Sequence, residues 1–481
     1  MNFLALKQNK IIKKINEYLS SNYFLITMAI LTLLANIFSL EFVSYTFIII
    51  FACFTCLFHK DLLPLTSLPI FAYITSSANN NPGSNEASIY ASSGWYLAVL
   101  VAVFLAFFIP RMIIDKEIGF KAMFTTKRKL LLGMLVLSGA YFISGIFSPN
   151  FKSLFGKNIF FAFAQFACIV VFYFLFTSAI KWKQVKKEYV CYMGLIVGLT
   201  IVAELLAIFI KPFGAFSNGV INKDKIIIGW GISNNIGALI CICLPFAFYL
   251  AGTQKYGFIY TILAHVLFGG VLLTLSLNAI LVAAIIYVVS VIIIISKGQN
   301  VLSNFIVCVS FILLALILCI IFSSQFSTLL NGIVNREFID EGRIEMYSTA
   351  WTEFTKNPIF GKTFYFGEGE YRPKGWGVLI HTDGFIPHRW HNTVLQLLVS
   401  CGVVGLLAYG FHRYQTIKLF FKKPSMVKTF IGLSILALLL MSLLDCHFFN
   451  LGPTLVYSIF LAFAEKLEGD EGKKKSNLKE K

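Results

Sequence analysis

Charged residues are scarce in this 481-residue sequence, at 13% of the chain, while apolar residues make up 58%. Soluble domains carry roughly 25% charged residues, so a water-soluble globular protein is excluded. Motifs for nucleotide binding and for serine hydrolases are also missing, since the chain contains no Walker A loop, dinucleotide fingerprint or G-x-S-x-G elbow. The chemistry of this protein must therefore be sought in a membrane setting.

Cysteines are absent from the polar segments, because all ten lie inside apolar runs. We expect small buried side chains rather than disulfides. Cys53 and Cys56 have a C-x-x-C spacing but lie in a predicted span, which disfavours metal or redox chemistry. The short alternating strands of a β-barrel are not visible either. The sequence therefore predicts an all-α polytopic membrane protein, because a helix satisfies its own backbone in lipid.

Fourteen apolar runs are candidate spans, and about 12–14 of them are expected to cross the membrane. The third is short and contains Pro64 and Pro69. A charged amphipathic start without a cleavage pattern indicates an uncleaved first span. The runs are 22–41, 43–59, 62–77, 94–112, 130–147, 158–180, 190–211, 234–252, 257–276, 279–296, 302–323, 391–411, 429–449 and 451–465.

The formal net charge of +17 comes mainly from lysines in short connecting segments. With fourteen spans, five basic segments fall on one side: 7–14, 111–129, 181–187, 412–428 and 471–481. By the positive-inside rule this side is the cytoplasm, so both termini are cytoplasmic. The same distribution argues against nucleic acid as a partner. The expected organisation is 1–323 for the N-terminal part of the bundle, 324–390 for an ordered extracytoplasmic loop or lid, 391–465 for the C-terminal spans and 466–481 for a basic tail.

Segment 324–390 is the longest connection and holds seven Lys or Arg and eight Asp or Glu residues. Long loops of this kind usually carry function. Within it, "DEGRIEMYSTAWTEFTKNPIFG" predicts a helix with Asp340 as N-cap and an end at Asn357-Pro358. Ile344, Tyr347, Trp351 and Phe354 are expected on one face.

Arg343 stands at the start of this predicted helix, where a guanidinium and free backbone N–H groups together make an anion site. The alternative is an ion pair with a nearby carboxylate, such as Glu337, Asp340 or Glu341. A lipid diphosphate is the anion that would suit a site at this position.

His391 and Asn392 stand where the loop re-enters the membrane. A histidine there can take or give a proton near neutral pH, and Asn392 could hold its ring or a sugar hydroxyl. The alternative is a simple interfacial histidine. His388 and Arg389 precede it; the spacing of His381, His388 and His391 fits no common zinc signature, and Arg389 favours an anionic ligand. Trp390 is expected to anchor at headgroup level.

Other polar residues lie inside or at the ends of spans. Three interpretations of Glu204 stay open: it lines a hydrophilic pocket, it is protonated, or it pairs with a neighbouring helix. Asn234 and Asn235 start a span on the outer side, where they could bind a sugar or cap the helix. Asp445 and His447 lie near the outer end of the thirteenth span and could close a polar cluster. Gly402 and Gly405 are expected to allow close helix approach.

The chain resembles the O-antigen polymerase/O-antigen ligase family of bacterial membrane glycosyltransferases. The resemblance covers roughly 325–450 and rests on "EGRIEMYSTAWTEFTKNPIFG" (341–361) and "HNTVLQLLVSCGVVGLLAYG" (391–410), with "GWGISNN" (229–235) in support. The matching positions, in order, are Gly342, Arg343, Tyr347, Pro358, Gly361, His391, Asn392, Gly402 and Gly405.

The resemblance implies a GT-C type helical bundle that moves an oligosaccharide from undecaprenyl diphosphate to an acceptor, outside the cytoplasmic membrane of a bacterium. It maps the loop arginine of the family onto Arg343 and its loop histidine onto His391, which implies catalytic roles for both. Our own hypothesis adds Glu204 as an alternative base and needs no cofactor or metal, because arginines can stabilise the developing charge. The acceptor would be a glycan or glycolipid, and a flippase and a chain-length regulator are further candidate partners. A polymerase is favoured; a ligase, a lipid-linked sugar flippase and a non-catalytic receptor are the alternatives.

One position departs from the family pattern. Many members have Ser-Arg on the span before the loop hairpin, where this chain has Ser276 and Leu277. A second contact to the diphosphate would then come from another basic residue. The candidates are Arg336, Arg372, Arg389 and Lys211.

Overall fold

The protein is described by a computed structural model. It describes residues 10–75, 85–147, 166–210, 215–217, 220–229, 231–321, 323, 327, 341–361, 390–422 and 424–467. At 85–94, at 341–346 and at a few single positions, the description covers the backbone only. Arg336, Arg372, Arg389, Lys211, His381, His388 and Asp340 lie outside the described residues, so the predictions made for them stay predictions.

The described chain is built almost entirely of helices, which confirms the predicted all-α class. They are α1 Lys10–Leu19, α2 Asn22–Phe38, α3 Glu41–Phe58, α4 Leu68–Thr75, α5 Asn85–Ile114, α6 Phe120–Thr125, α7 Leu131–Ile146, α8 Phe172–Ala179, α9 Tyr189–Ile210, α10 Ser233–Thr253, α11 Gly257–Leu273, α12 Leu277–Lys297, α13 Val301–Ile321, α14 Glu341–Lys356, α15 Thr393–Phe421, α16 Met426–Leu444 and α17 Leu451–Lys466. Short 3-10 turns occupy Leu63–Thr66, Trp182–Gln184, Lys223–Lys225 and His447–Phe449, and Ala167–Val171 is a π-helical turn.

Two small antiparallel hairpins precede α10. Strand β1 (Phe216–Ser217) pairs with β2 (Val220–Ile221), and β3 (Ile227–Ile228) pairs with β4 (Gly231–Ile232). With two residues in each strand, the hairpins shape the entry to α10 rather than form a sheet of their own.

Within the described ranges, eight helices are long and apolar enough to cross a membrane, or nine if the bent pair α1 and α2 is one span. Four shorter apolar helices accompany them, at Leu63–Thr75, Leu131–Ser144, Cys168–Ala179 and Gly257–Leu273. Each of the fourteen predicted spans overlaps a helix. The chain is therefore a multi-pass membrane protein, as the apolar runs predict.

Helix α10 is the centre of the bundle, with 94% of its span window buried. It packs against α9, α11, α12 and α16. By contrast, the span windows of α5 and α13 are only 11% and 12% buried, so these two helices turn most of their apolar surface outward, as lipid-facing helices do. This arrangement brings the first residues of α10 and the last residues of α16 to the same end of the bundle.

Candidate functional site

A polar corner forms where α15 begins and α16 ends. His391 lies two residues before α15, and Asp445 directly follows α16. Nδ1 of His391 lies 3.1 Å from Oδ1 of Asp445, and the two side chains are 22% and 10% exposed. The predicted polar cluster at Asp445 is thereby confirmed, and the structure adds His391 to it.

The backbone of His391 is held in an unusual conformation, with φ at +45°. A non-glycine residue in this region stores strain and persists only where its surroundings fix it. Two contacts do so here. The Tyr347 hydroxyl of α14 donates to the His391 carbonyl at 3.2 Å. Oδ1 of Asn392 accepts from the N–H groups of Val394 and Leu395 and so caps α15.

Asn392 therefore has a visible structural role. Its Nδ2 also donates to the Leu443 carbonyl at 2.9 Å, which ties the start of α15 to the end of α16. Its predicted part in substrate binding stays a prediction. Because the amide is used at both ends, its main effect in this structure is to hold the two helix ends that carry His391 and Asp445.

Besides His391, three polar groups lie close to the Asp445 carboxylate. The Cys446 N–H donates to Oδ1 at 2.6 Å, and Nδ2 of Asn234, in the first turn of α10, donates to Oδ2 at 3.3 Å. Nε2 of His447 lies 3.8 Å from Oδ2. Burial alone would raise the pKa of Asp445, but the charges of His391 and His447 and the hydrogen bond from His391 outweigh burial and lower it. Asp445 is therefore a carboxylate at neutral pH.

Because Asp445 is charged, the ring nitrogen of His391 that carries the hydrogen can be assigned. The carboxylate only accepts, so Nδ1 carries the hydrogen and Nε2 carries the lone pair. The same orientation of a histidine by a carboxylate is found in general-base sites of hydrolases. His391 is thus set up to take a proton through Nε2.

The amides predicted at the start of α10 do not cap that helix. The N-cap residue is Ile232, which forms no side-chain cap hydrogen bond. Instead Asn234 bonds Asp445, and Oδ1 of Asn235 accepts from Nδ2 of Asn450 at 2.7 Å. The capping alternative is therefore wrong, because both amides turn toward the polar corner rather than back onto their own helix.

Arg343 lies on α14, one helical turn before Tyr347, whose hydroxyl contacts His391. Its backbone is described and its side chain is not, so its role stays a prediction. The helix bounds confirm that α14 ends before Asn357-Pro358. The described residues bring the first half of α14 close to His391, two residues before α15 begins.

The side chains described on α14 differ from the predicted face at Trp351, and the side chain of Ile344 lies outside the described residues. Tyr347, Ala350 and Phe354 pack against Trp390 and Val399, whereas Trp351 is 55% exposed. Trp390 itself is 1% exposed and lies inside this cluster, so the prediction that it anchors at headgroup level is wrong. Its ring stabilises the contact between α14 and α15 instead.

A backbone clasp joins the turn after α14 to the interior of α15. Gly402 has φ +62° and ψ −160°, which breaks α15. The N–H groups of Val403 and Val404 then donate to the carbonyls of Pro358 and Ile359 at 2.9 and 3.2 Å. In an unbroken helix these N–H groups would bond to carbonyls four residues earlier.

Glycine is required on both sides of the clasp. A Cβ at Gly402 would lie 2.3 Å from the Ile359 carbonyl oxygen, and a Cβ at Gly361 would lie 2.4 Å from the Ser400 carbonyl carbon. Gly361 also has a positive φ, at +68°. Gly402 does permit close approach, as predicted, but of the turn that follows α14 rather than of another helix.

Glu204 is placed apart from the polar corner. It lies in α9, is 3% exposed, and neither carboxylate oxygen has a hydrogen-bond partner in the described part of the chain. The side chain of Asn36 is its polar neighbour. Its predicted role as an alternative base is not supported by a contact to His391 or Asp445, and it stays a prediction to be tested.

The departure at Leu277 also falls near the corner. Leu277 is the first residue of α12, and the amide of the following Asn278 donates to the Leu444 carbonyl at 3.2 Å. Leu277 is therefore next in sequence to a residue that contacts the end of α16. Among the residues that sequence reasoning missed is Asn450, although the run "DCHFFN" (445–450) shows unusual polarity between two apolar spans.

The fold and the corner define a polytopic helical membrane protein with a histidine–carboxylate pair at one end of its bundle. Residues 262–410 match the family model described as O-Antigen ligase. This match covers about a third of the chain and supports the resemblance to the O-antigen ligase/polymerase family. The matched segment contains Arg343 and His391 and ends before Asp445. No curated protein matches the chain. The family assignment supports a role in glycan transfer during the assembly of a surface polysaccharide.

Proposed function

We propose that the protein transfers an oligosaccharide from undecaprenyl diphosphate to an acceptor hydroxyl on the outer face of the cytoplasmic membrane, as a polysaccharide polymerase. The observation that carries the proposal is the contact between His391 and Asp445 at the point where the outer segment re-enters the bundle. The family match supports the reaction class. A lipid-linked donor also fits a site built on the ends of membrane-spanning helices.

The proposed reaction is a displacement at the anomeric carbon of the donor sugar. The acceptor oxygen forms a bond to that carbon, and the bond between the carbon and the diphosphate oxygen breaks. The diphosphate leaves with the electron pair. The acceptor proton passes to Nε2 of His391, and the imidazolium is stabilised by Asp445 across the 3.1 Å contact. General-base assistance of this kind typically contributes about 10²–10⁴-fold.

Arg343 is proposed to stabilise the negative charge that develops on the leaving diphosphate. A guanidinium can bind two phosphate oxygens at once, and stabilisation of developing charge is often the largest catalytic effect. The backbone position of Arg343, one turn before Tyr347, supports this assignment. The second cation is proposed to come from Arg389, Arg336, Arg372 or Lys211, since Leu277 supplies none. His388, Asn392, Asn234 and Asn235 are proposed to contact the sugars.

The reaction can be tested with purified protein and lipid-linked oligosaccharide in detergent or vesicles. We expect a new glycosidic bond with the wild-type protein, and loss of turnover in Arg343→Ala and His391→Ala. Full turnover in both variants would show that the proposed roles are wrong. Movement of labelled lipid-linked sugar across the vesicle membrane without bond formation would favour a flippase.

A ligase is the second candidate, and it is favoured by the description of the matching family model. The two activities differ only in the acceptor, which is a second lipid-linked unit for a polymerase and a separate glycolipid, polymer or protein for a ligase. Gel analysis of a deletion strain separates them. Single repeat units indicate a lost polymerase, whereas long chains that stay on the carrier lipid indicate a lost ligase.

A further inference from the structure

Asp445 lies between two histidine rings. His391 contacts Oδ1 at 3.1 Å, and Nε2 of His447 lies 3.8 Å from Oδ2. The two rings differ in exposure, since the His391 side chain is 22% exposed and that of His447 is fully buried. Only His391 is therefore placed to meet a substrate, and His447 faces the same carboxylate from the protein interior.

The position of the proton on His447 follows from its neighbour Asn450. Nδ2 of Asn450 donates to Oδ1 of Asn235 at 2.7 Å and lies 3.4 Å from Nδ1 of His447. An amide nitrogen only donates, so Nδ1 of His447 is the acceptor and the ring hydrogen is on Nε2. That hydrogen is on the side of the ring that faces Asp445.

We propose that His447 is a positioning residue for glycan transfer, which acts by sharing the charge of Asp445 with His391. With two rings beside it, the carboxylate attracts a proton on His391 less strongly than it would with one. His447 thereby sets how strongly the Asp445 carboxylate stabilises a proton held by His391. The proposal rests on the function proposed above for His391.

Within the part of the corner that the structure describes, no further charged side chain contacts the pair. In the described part of the corner, the titratable side chains are His391, His447, Asp445, Tyr347 of α14 and the Cys446 thiol. The amides of Asn234 and Asn235 in α10 and of Asn450 before α17 complete it. A change of His447 therefore acts on His391 chiefly through Asp445.

The test compares His447→Phe, which removes the N–H donor, with His447→Gln, whose amide restores a donor at a similar distance. We expect the acid limb of the pH–rate profile of His447→Phe to move up by about half a pH unit with KM unchanged, which lowers kcat by about threefold on that limb. His447→Gln should stay close to wild type. His265→Phe is the matched control, because His265 is a buried histidine that bonds Tyr287 away from the corner. It should leave the profile unchanged.

A second readout does not depend on turnover. Diethylpyrocarbonate modifies the unprotonated ring, so mass spectrometry of the His391 peptide across a pH series gives its midpoint directly. The midpoint should move upward in His447→Phe by the same amount as the acid limb. If His447→Phe does not fold, Asn450→Asp replaces it as the test variant. Its carboxylate draws the ring proton of His447 to Nδ1, so the midpoint for modification of His391 should again move upward.

The two proposals fail in different ways. If the wild type forms no glycosidic bond, the proposed function is wrong. Modification by diethylpyrocarbonate still reports in that case whether His447 affects His391. If the wild type transfers glycan while the folded His447→Phe and Asn450→Asp variants both keep its midpoint and profile, the role assigned to His447 is wrong.

Discussion

Nδ1 of His391 lies 3.1 Å from Oδ1 of Asp445, although 54 positions separate the two residues in the sequence. His391 precedes α15 and Asp445 directly follows α16, so the contact joins the start of one membrane helix to the end of the next. Neither helix could set this geometry alone. It depends on Asn392, whose amide bonds the Leu443 carbonyl and caps α15 at the same time.

Replacing Asp445 by Asn should lower kcat roughly 100-fold or more with little change in KM. The amide has nearly the same shape, but it no longer carries the charge that stabilises protonated His391. The measurement is steady-state transfer from lipid-linked oligosaccharide. Glu204→Gln is the paired variant, and it should keep most of the activity. The reverse pattern would assign the base to Glu204 and contradict the role of His391.

Replacing Gly402 by Ala should destabilise the protein by about 1–3 kcal/mol, because a Cβ is strained at φ +62° and would lie 2.3 Å from the Ile359 carbonyl oxygen. The thermal unfolding midpoint in detergent should fall accordingly. Gly410→Ala is the control on the same helix, since a Cβ there meets nothing within 4 Å. Equal midpoints for the two variants would show that the clasp does not contribute to stability.

Replacing Tyr347 by Phe should reduce activity more than stability. The lost hydrogen bond to the His391 carbonyl is worth about 1 kcal/mol net, but it holds the strained residue that carries the base. Transfer rate and thermal midpoint should be measured on the same preparation. Trp351→Phe, on the exposed side of α14, should change neither. A Tyr347→Phe variant with full turnover would argue that α14 does not position His391.

Replacing Asp61 by Asn should lower the thermal midpoint at pH 7, by an amount that shrinks in acid. Burial would raise the pKa of Asp61, but the hydrogen bond and charge of His59 and the N–H groups of Leu63 and Lys181 lower it overall. A carboxyl with a lowered folded-state pKa stabilises the fold above its unfolded value of about 3.9, and loses this effect as the pH falls through the folded-state pKa.

The measurement for Asp61 is the difference in midpoint between wild type and variant from pH 7 down to pH 3. We expect the difference to narrow below about pH 4. Glu117→Gln is the control, because this carboxylate is 72% exposed and its pairing with Lys181 contributes little. A difference that stays constant across the series would contradict the coupling of Asp61 to folding.

Hydropathy was sufficient to predict the helical class and the approximate spans, because lipid imposes a length and an apolar composition on each helix. The helix in the outer segment could also be predicted, since Asn357-Pro358 ends it. Trp351 and Trp390 could not be placed by the same reasoning. Periodicity does not predict which neighbour an aromatic face will pack against. Here the neighbour of α14 is α15, and this contact buries Trp390 and leaves Trp351 exposed.

The candidate site could be predicted in its parts but not in its assembly. His391, Asp445 and His447 each stand out as polar residues at the ends of apolar runs. Their pairing depends on which helix ends meet, and on the amides of Asn234 and Asn450, which a single sequence does not connect to them. The break at Gly402 was hidden for a similar reason, because a glycine in an apolar run usually indicates contact between helices.

The clasp at Gly402 limits where this protein can be joined to a relative in a chimera. A chimera that exchanges the outer segment at the apparent membrane boundary, near residue 390, would separate Pro358 and Ile359 from the two N–H groups they satisfy inside α15. Unsatisfied N–H groups at membrane depth are costly. The smallest cassette that keeps these bonds together runs from α14 to residue 404, so this segment and the first turns of a membrane helix would have to be exchanged as one piece.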